Sequence, residues 1–214
     1  MTARIIDYPT LAQALQDFSH RVDIANFQDY FIQFGELKIY RDIFSQNLGN
    51  GVQWMESALA GNINAGLFSV PIDYLALKDA QVTDGNGAVF TLIYKDPQWI
   101  YTKYPLRQPS GLPAYMARDA SNFVFGPFPA DQYAVSGTYY AQSAPISATN
   151  PTTWMTTVCP ELLFASCMME LQPFLRDSDG AEIWESQYDS KLLGLIDLDK
   201  SERLAAGAMT SNAQ

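Results

Sequence analysis

A chain of 214 residues with 48 % hydrophobic and 17 % charged residues can bury a core, which excludes general disorder. Its 23 acidic residues outnumber the 13 lysines and arginines, and the net charge of -10 excludes tight nucleic-acid binding, which needs cations to neutralise phosphates. No segment approaches 18 continuous apolar residues and the first residues lack a signal-peptide core, so we expect a soluble protein made in the cytoplasm.

The first flank of the chain has a helical pattern. Pro9 and Thr10 introduce a short helix through Phe18, with Leu11 and Leu15 on the same face. A longer helix is predicted over residues 23–45, and Gly35 in its middle predicts close packing of a neighbouring helix or chain. The apolar positions of this helix recur in steps of three and four: Phe27, Tyr30, Phe31, Phe34, Leu37, Tyr40 (or Ile39), Ile43 and Phe44.

The middle of the chain, residues 52–144, has the pattern of a β module. Asp84-Gly85-Asn86-Gly87 predicts a hairpin between strands at 76–82 and 88–94, and Gly61-Asn62 is a weaker turn candidate. Residues 97–104 predict a short surface helix. Further strands are expected near Tyr115, at 123–125 and at 134–140.

The return flank is helical again. One helix begins near Pro160 and should end or kink at Pro173. A second covers about 181–198, with a buried face of Ile183 or Trp184, Tyr188, Leu192 and Leu195.

These elements predict an α+β fold, in which N- and C-terminal helices form a bundle and a small antiparallel β-sandwich or partial barrel is inserted between them. The predicted helical core is 1–50 with 155–204, the inserted β domain is 51–154, and 205–214 is a flexible tail.

The sequence offers no catalytic, metal-binding or cofactor-binding constellation. His20, the single histidine, lies at a helix end, and Asp177, Asp179 and Glu182 are read as caps of a helix N-terminus. Cys159 and Cys167 are eight residues apart on a helix, about 12 Å, which is too far for a disulfide. An enzyme is therefore not expected.

Ordered motifs along the chain resemble a known family. Residues 34–42 are similar to the E-x-x-I-x-R-D helix of phage head-to-tail adaptor proteins, those of short-tailed phages that include tail tubular protein A. The resemblance extends over about residues 11–204. Further segments follow in the same order: 70–75, 111–115, Gly126-Pro127-Phe128-Pro129, Tyr139-Tyr140, Thr152-Thr153-Trp154, 160–163 and 184–188.

The resemblance implies a structural protein of the virion neck, assembled in the host cytoplasm. It implies a ring, usually of twelve copies, that docks on the portal protein, carries the tail nozzle and continues the DNA channel without binding DNA tightly. Acidic channel walls would favour ejection, because like charges keep the duplex from adhering. The resemblance also implies a C-terminal contact with the portal, for which Ser201, Arg203 and Leu204 are the candidates.

Two other functions stay open on the sequence. The aromatic β module could bind a carbohydrate or receptor as part of a tail fibre or adhesin, in which case the protein would stay monomeric or trimeric. A hydrolase would need two carboxylates about 5–9.5 Å apart in a cleft.

Overall fold

The computed structural model describes residues 4–108, 111–129 and 133–211, and the side chains of the last helix as far as Ala205. The chain divides into two compact units. Met1–Met55 and Ser143–Gln214 form one unit, which we call the helical unit, and Glu56–Gln142 form the other, the β unit. Residues 212–214 of the predicted flexible tail lie outside the described residues.

The helical unit is built from five α-helices and two short 3₁₀ turns among its described residues. The 3₁₀ turns cover Asp23–Asn26 and Gln53–Met55. The α-helices are α1 Tyr8–Ser19, α2 Gln28–Gln46, α4 Trp154–Val158, α5 Pro160–Leu175 and α6 Ser178–Ser211.

Helix α1 has the predicted position. The Asp7 carboxylate accepts a hydrogen bond from the backbone N–H of Thr10, whose hydroxyl in turn accepts from the Asp7 N–H, so both ends of a capping box are present. Leu11 and Leu15 are fully buried, as expected, whereas Phe18 is 62 % exposed.

Helix α2 exists where the pattern predicted it, but the predicted buried face is partly wrong. Phe31, Tyr40 and Ile43 are buried. Four other members of the predicted stripe are exposed: Phe27, Tyr30, Phe34 and Leu37. The face that packs inward instead continues through Ile32, Gly35, Glu36 and Ile39.

Gly35 explains which face of α2 is buried. A Cβ at Gly35 would lie 3.0 Å from Sγ and 3.1 Å from the backbone nitrogen of Cys167 in α5. The Ser166 hydroxyl also donates a 2.9 Å hydrogen bond to the Gly35 carbonyl. The prediction of a neighbouring helix against Gly35 is therefore confirmed. A large side chain at position 35 would keep α5 away, so the small residue at this point allows this face to be buried.

The return helices differ from prediction at their ends. Pro173 lies inside α5, which ends two residues later at Leu175, with Arg176 in the left-handed conformation. Helix α6 begins at Ser178 and continues past the predicted end at Leu198 to Ser211. Its buried face includes Tyr188, Leu192 and Leu195, as expected. Of the two alternatives at its start, Ile183 is exposed and Trp184 is half-buried.

Within its described residues, the β unit contains two four-stranded sheets and one helix, α3 Pro97–Lys103. One sheet has the order β1-β8-β3-β4 and the other the order β2-β7-β6-β5. The strands are β1 Glu56–Asn62, β2 Leu67–Ser69, β3 Tyr74–Thr83, β4 Val89–Thr91, β5 Ile93–Tyr94, β6 Tyr115–Asp119, β7 Asn122–Gly126 and β8 Ala134–Ala141.

The two sheets share one apolar core. Val82 and Val135 enter it from the first sheet, and Met116, Phe123 and Phe125 enter it from the second. Alternate residues of the second sheet, Ala117 and Val124, point the other way and pack with Ile100 of α3. Helix α3 therefore covers the outer face of that sheet.

The predicted hairpin at Asp84–Gly87 is confirmed, since β3 and β4 pair antiparallel on either side of it. The following strand is shorter than predicted, because the chain leaves the first sheet after Thr91. It enters the second sheet as β5, which pairs parallel with β6. Gly61-Asn62 is not a hairpin turn, because β1 pairs with β8 and β2 pairs with β7. The fold is α+β, with terminal helices and inserted sheets.

Candidate functional site

The segment 34–42 of α2, which carries the resemblance to adaptor proteins, links three parts of the helical unit. Glu36 is 5 % exposed, and its carboxylate accepts hydrogen bonds from the Ile146 N–H, with 3.2 Å to each oxygen. Burial raises the pKa of Glu36 to about 7, while the Ile146 N–H acts in the opposite sense. Four residues later, the Tyr40 hydroxyl accepts from the N–H of Ser143. These two side chains fix the segment through which the chain re-enters the helical unit.

Asp42, at the other end of the same segment, links α2 to α6. Its Oδ2 accepts a 2.9 Å hydrogen bond from the Tyr188 hydroxyl and lies 2.8 Å from Lys38 Nζ. The ammonium of Lys38 also lies over the Tyr188 ring, 4.8 Å from its centroid. Burial and the Asp42 carboxylate both raise the pKa of Tyr188. The hydroxyl therefore stays a proton donor to Asp42 at neutral pH.

Most residues of this motif therefore connect α2 to other parts of the helical unit, whereas the Arg41 side chain faces outward. Its side chain is 71 % exposed, and its Nε lies 3.7 Å from Asp42 Oδ1. Sequence reasoning singled out the motif but did not assign these roles, because the partners Ile146 and Tyr188 are more than 100 residues away.

An exposed apolar stripe continues along α2 beside Arg41. Tyr30 is 58 % exposed, Phe34 48 % and Leu37 43 %. The rings of Tyr30 and Phe34 lie 6.5 Å apart, and Phe27 contacts Phe174 at 5.7 Å between centroids. Exposed apolar patches of this kind are typical of contact surfaces.

The predicted portal-contact residues lie near the end of the described part of α6. The Ser201 hydroxyl donates to the Leu198 carbonyl, and Arg203 Nε donates a 2.8 Å hydrogen bond to Asp199 Oδ2. Asp199 is 1 % exposed and also accepts from the Gln53 N–H at 2.8 Å. Arg203 therefore helps to anchor α6, whereas Leu204 is a large apolar side chain that is 74 % exposed.

An apolar groove of about 480 Å³ lies between α1, α5 and α6. Its base is an aromatic cluster in which Phe18 and Phe164 are 5.0 Å apart and Phe164 and Trp184 5.5 Å apart, between ring centroids. Asp17 and Lys191 lie at its rim. Its lining joins α1, near the start of the chain, to α5 and α6 near its end, so no local pattern predicted it.

The residues considered for catalysis or metal binding have roles in the fold. His20 is the left-handed C-cap residue of α1, and Asp177 accepts a hydrogen bond from the Gly180 N–H at the start of α6. Cys159 and Cys167 are buried free thiols, and burial raises the pKa of both. Across residues 4–108, 111–129 and 133–211, no group of three or more His, Cys, Asp or Glu side chains could hold a metal ion. In the same described ranges, no helix is long and apolar enough to cross a membrane.

Comparison with known proteins places the chain in a family. No curated protein matches it. The family model described as SU10 adaptor protein matches residues 6–212, nearly the whole chain and both units. The chain therefore belongs to the SU10 adaptor protein family, a family of phage head-to-tail adaptors.

Proposed function

We propose that this adaptor forms a ring beneath the portal of a tailed phage, carries the tail nozzle and continues the DNA channel. The observation that supports it most is the extent of the family match, which includes both units and α6. The exposed stripe of α2 and the exposed Leu204 of α6 are consistent with it, since repeated contact between copies needs two different surfaces on each copy.

Electron microscopy tests the ring. The purified protein, mixed with portal-bearing heads that lack adaptor, should add a ring of copies, usually twelve in this family, at the portal vertex. The same protein mixed with heads that lack portal is the control. Heads that gain no density would contradict the proposal, and a small soluble oligomer that retains a glycan would favour the binding module instead.

The C-terminal contact with the portal is the second part of the proposal. Leu204→Ser should weaken attachment to portal-bearing heads by about tenfold, because an exposed leucine is valuable only when a partner covers it. Ile72→Ser is the matched control, since Ile72 is fully exposed in the β unit. Both variants should keep the wild-type melting temperature. A protein shortened after Leu198 is a poorer test, because it also loses Asp199 and its bond to Gln53.

The acidic surface fits a channel through which DNA passes. The helical unit carries sixteen Asp and Glu and eight Lys and Arg, whereas the β unit carries seven and five. Several cations are already paired: Lys38 with Asp42, Lys78 with Glu56, and Arg203 with Asp199. We expect no duplex binding in a gel-shift assay at physiological salt. Micromolar binding that weakens steeply with added salt would argue against this role.

A further inference from the structure

We propose that the exposed stripe of α2 packs against the exposed face of α6 in a neighbouring copy. The α2 stripe consists of Tyr30, Phe34, Leu37 and Arg41. The α6 face consists of Ser186, Ser190, Leu193 and Asp197. This inference rests on the ring proposed above and assigns the two surfaces that would close it.

The α2 stripe has the spacing of a helix-pairing seam. Its four residues follow one another in steps of four, three and four, which keeps them in line along a helix. All four are exposed, and three are large and apolar. Phe31, Ile32 and Ile39 already fill the inward face, so the stripe needs a partner from outside this chain.

The α6 face has the same spacing as the α2 stripe, but its side chains are mostly small and its charge is negative. Its four residues also follow in steps of four, three and four, and all are exposed. Two are serines, and the neighbouring Gly194 has open space where a Cβ would lie. A mid-helix glycine costs up to about 1 kcal/mol relative to alanine. Gly35 has a packing reason for that cost, whereas Gly194 has none among the residues that the structure describes.

A parallel alignment pairs the two faces by size and charge. It places Tyr30 against Ser186 and Phe34 against Ser190, so large rings meet small side chains. It then places Leu37 on Leu193.

The same alignment brings the single cation of the stripe, Arg41, to the single carboxylate of the face, Asp197. The charges and the side-chain sizes therefore select the same register, which is why we assign the occupant as a second copy.

The direction of the helices agrees with a parallel pairing. Within one chain, Phe27 at the start of α2 contacts Phe174, which lies just before α6. Asp42, toward the end of α2, contacts Tyr188 in α6. The two helices therefore run the same way. Neighbours in a ring of twelve copies differ by a rotation of about 30°, which does not reverse a helix, so α2 of one copy meets α6 of the next in the same sense.

Cysteine pairing tests the contact in portal-assembled rings. The double variant Phe34→Cys with Ser190→Cys should give a ladder of disulfide-linked oligomers on a non-reducing gel. The matched control is Gln33→Cys with Ser190→Cys, since Gln33 is exposed but points about 100° away around α2. The control should give at least about tenfold less product. The native Cys159 and Cys167 are buried and should not contribute.

Charge exchange tests the register. Arg41→Glu should reduce ring formation about tenfold or more, and adding Asp197→Arg should restore it to within about threefold. Both positions are exposed, so the melting temperature of the monomer should not change. The double variant Arg41→Glu with Glu185→Arg, at another exposed carboxylate of α6, should restore nothing.

The outcomes of these experiments distinguish failure of the α2–α6 contact from failure of the proposed ring. Rings without a selective ladder and without rescue would overturn the α2–α6 contact and leave the ring proposal standing. Failure of the wild-type protein to form a ring on portal-bearing heads would overturn both.

Discussion

The helical unit and the β unit are stabilised in different ways. Among the described residues, every buried polar or charged side chain lies in the helical unit: Glu36, Thr156, Ser166, Gln172 and Asp199. The core of the β unit is made of aliphatic and aromatic side chains. Hydrogen bonds have direction and apolar contacts do not. The buried side-chain hydrogen bonds of the helical unit therefore restrict the positions of its helices more than apolar contacts alone would.

The polar links of the helical unit act between elements distant in sequence. Glu36 binds the Ile146 N–H, Ser166 binds the Gly35 carbonyl, and Asp199 binds the Gln53 N–H. Each would leave a buried group unpaired if its helix shifted by one turn, at a cost of about 1–3 kcal/mol. A unit that must present α2 and α6 at fixed positions to other copies benefits from such links.

The largest expected effect tests which face of α2 is buried. Phe31→Ala should lower the free energy of unfolding by about 3–5 kcal/mol, because Phe31 is 9 % exposed and packs against Phe174. The matched control is Phe34→Ala, one turn away and 48 % exposed, which should cost less than about 1 kcal/mol. Urea denaturation measures both. Equal losses would show that the stripe of α2 is part of the core.

The next effect concerns the β unit. Gly137 of β8 has φ +159°, and a Cβ there would lie 2.3 Å from the Asp79 carbonyl oxygen of β3. Gly137→Ala should therefore destabilise by about 2–4 kcal/mol, through backbone strain and overpacking.

Hydrogen exchange should locate the loss of protection from Gly137→Ala in β3 and β8. Ser136→Ala, the exposed neighbour, should change stability by less than about 0.5 kcal/mol. Protection lost equally in α2 and α5 would show that the substitution destabilises both units alike.

Sequence patterns succeeded where local chemistry decides the structure. Three predicted features are confirmed: the Asp84–Gly87 turn, the short helix that begins at Pro97, and the strands around Phe123 and Val135. Turns and helix starts depend on adjacent residues.

The buried face of α2 could not be predicted in the same way, since both sides of that helix carry apolar residues and α5 approaches the side with Gly35. Arg41 could have been identified from the sequence, because it is the charged residue in an apolar stripe. The groove beside Trp184 could not, because it joins α1 to helices at the other end of the chain.

A smaller effect concerns the pH dependence of the free energy of unfolding, which we expect to come from the helical unit. Burial raises the pKa of Glu36 in the folded protein to about 7, above its value of 4.5 in the unfolded chain. The folded state therefore binds more protons between these two values, and its stability falls as pH rises from about 4.5 to 7. Glu36→Gln removes this dependence and can still accept from the Ile146 N–H. Its unfolding free energy should match wild type near pH 4.5 and exceed it by about 2–3 kcal/mol at pH 8.

Urea denaturation at several pH values measures the Glu36 effect. Glu185→Gln, at an exposed carboxylate of α6, is the matched control for the substitution itself. A Glu36→Gln difference that is independent of pH would show that the Glu36 carboxylate does not titrate as its burial requires.

The smallest effect compares two glycines within helices of the same unit. Gly194→Ala should raise the free energy of unfolding of the isolated protein by about 0.5–1 kcal/mol, because alanine favours the helix and its Cβ meets open space. Gly35→Ala should lower that free energy, because its Cβ would lie 3.0 Å from the Cys167 sulfur. Denaturation of the monomers measures both. A loss of stability in Gly194→Ala would mean that this face of α6 is covered within its own chain, and it would then be unavailable to a neighbouring copy.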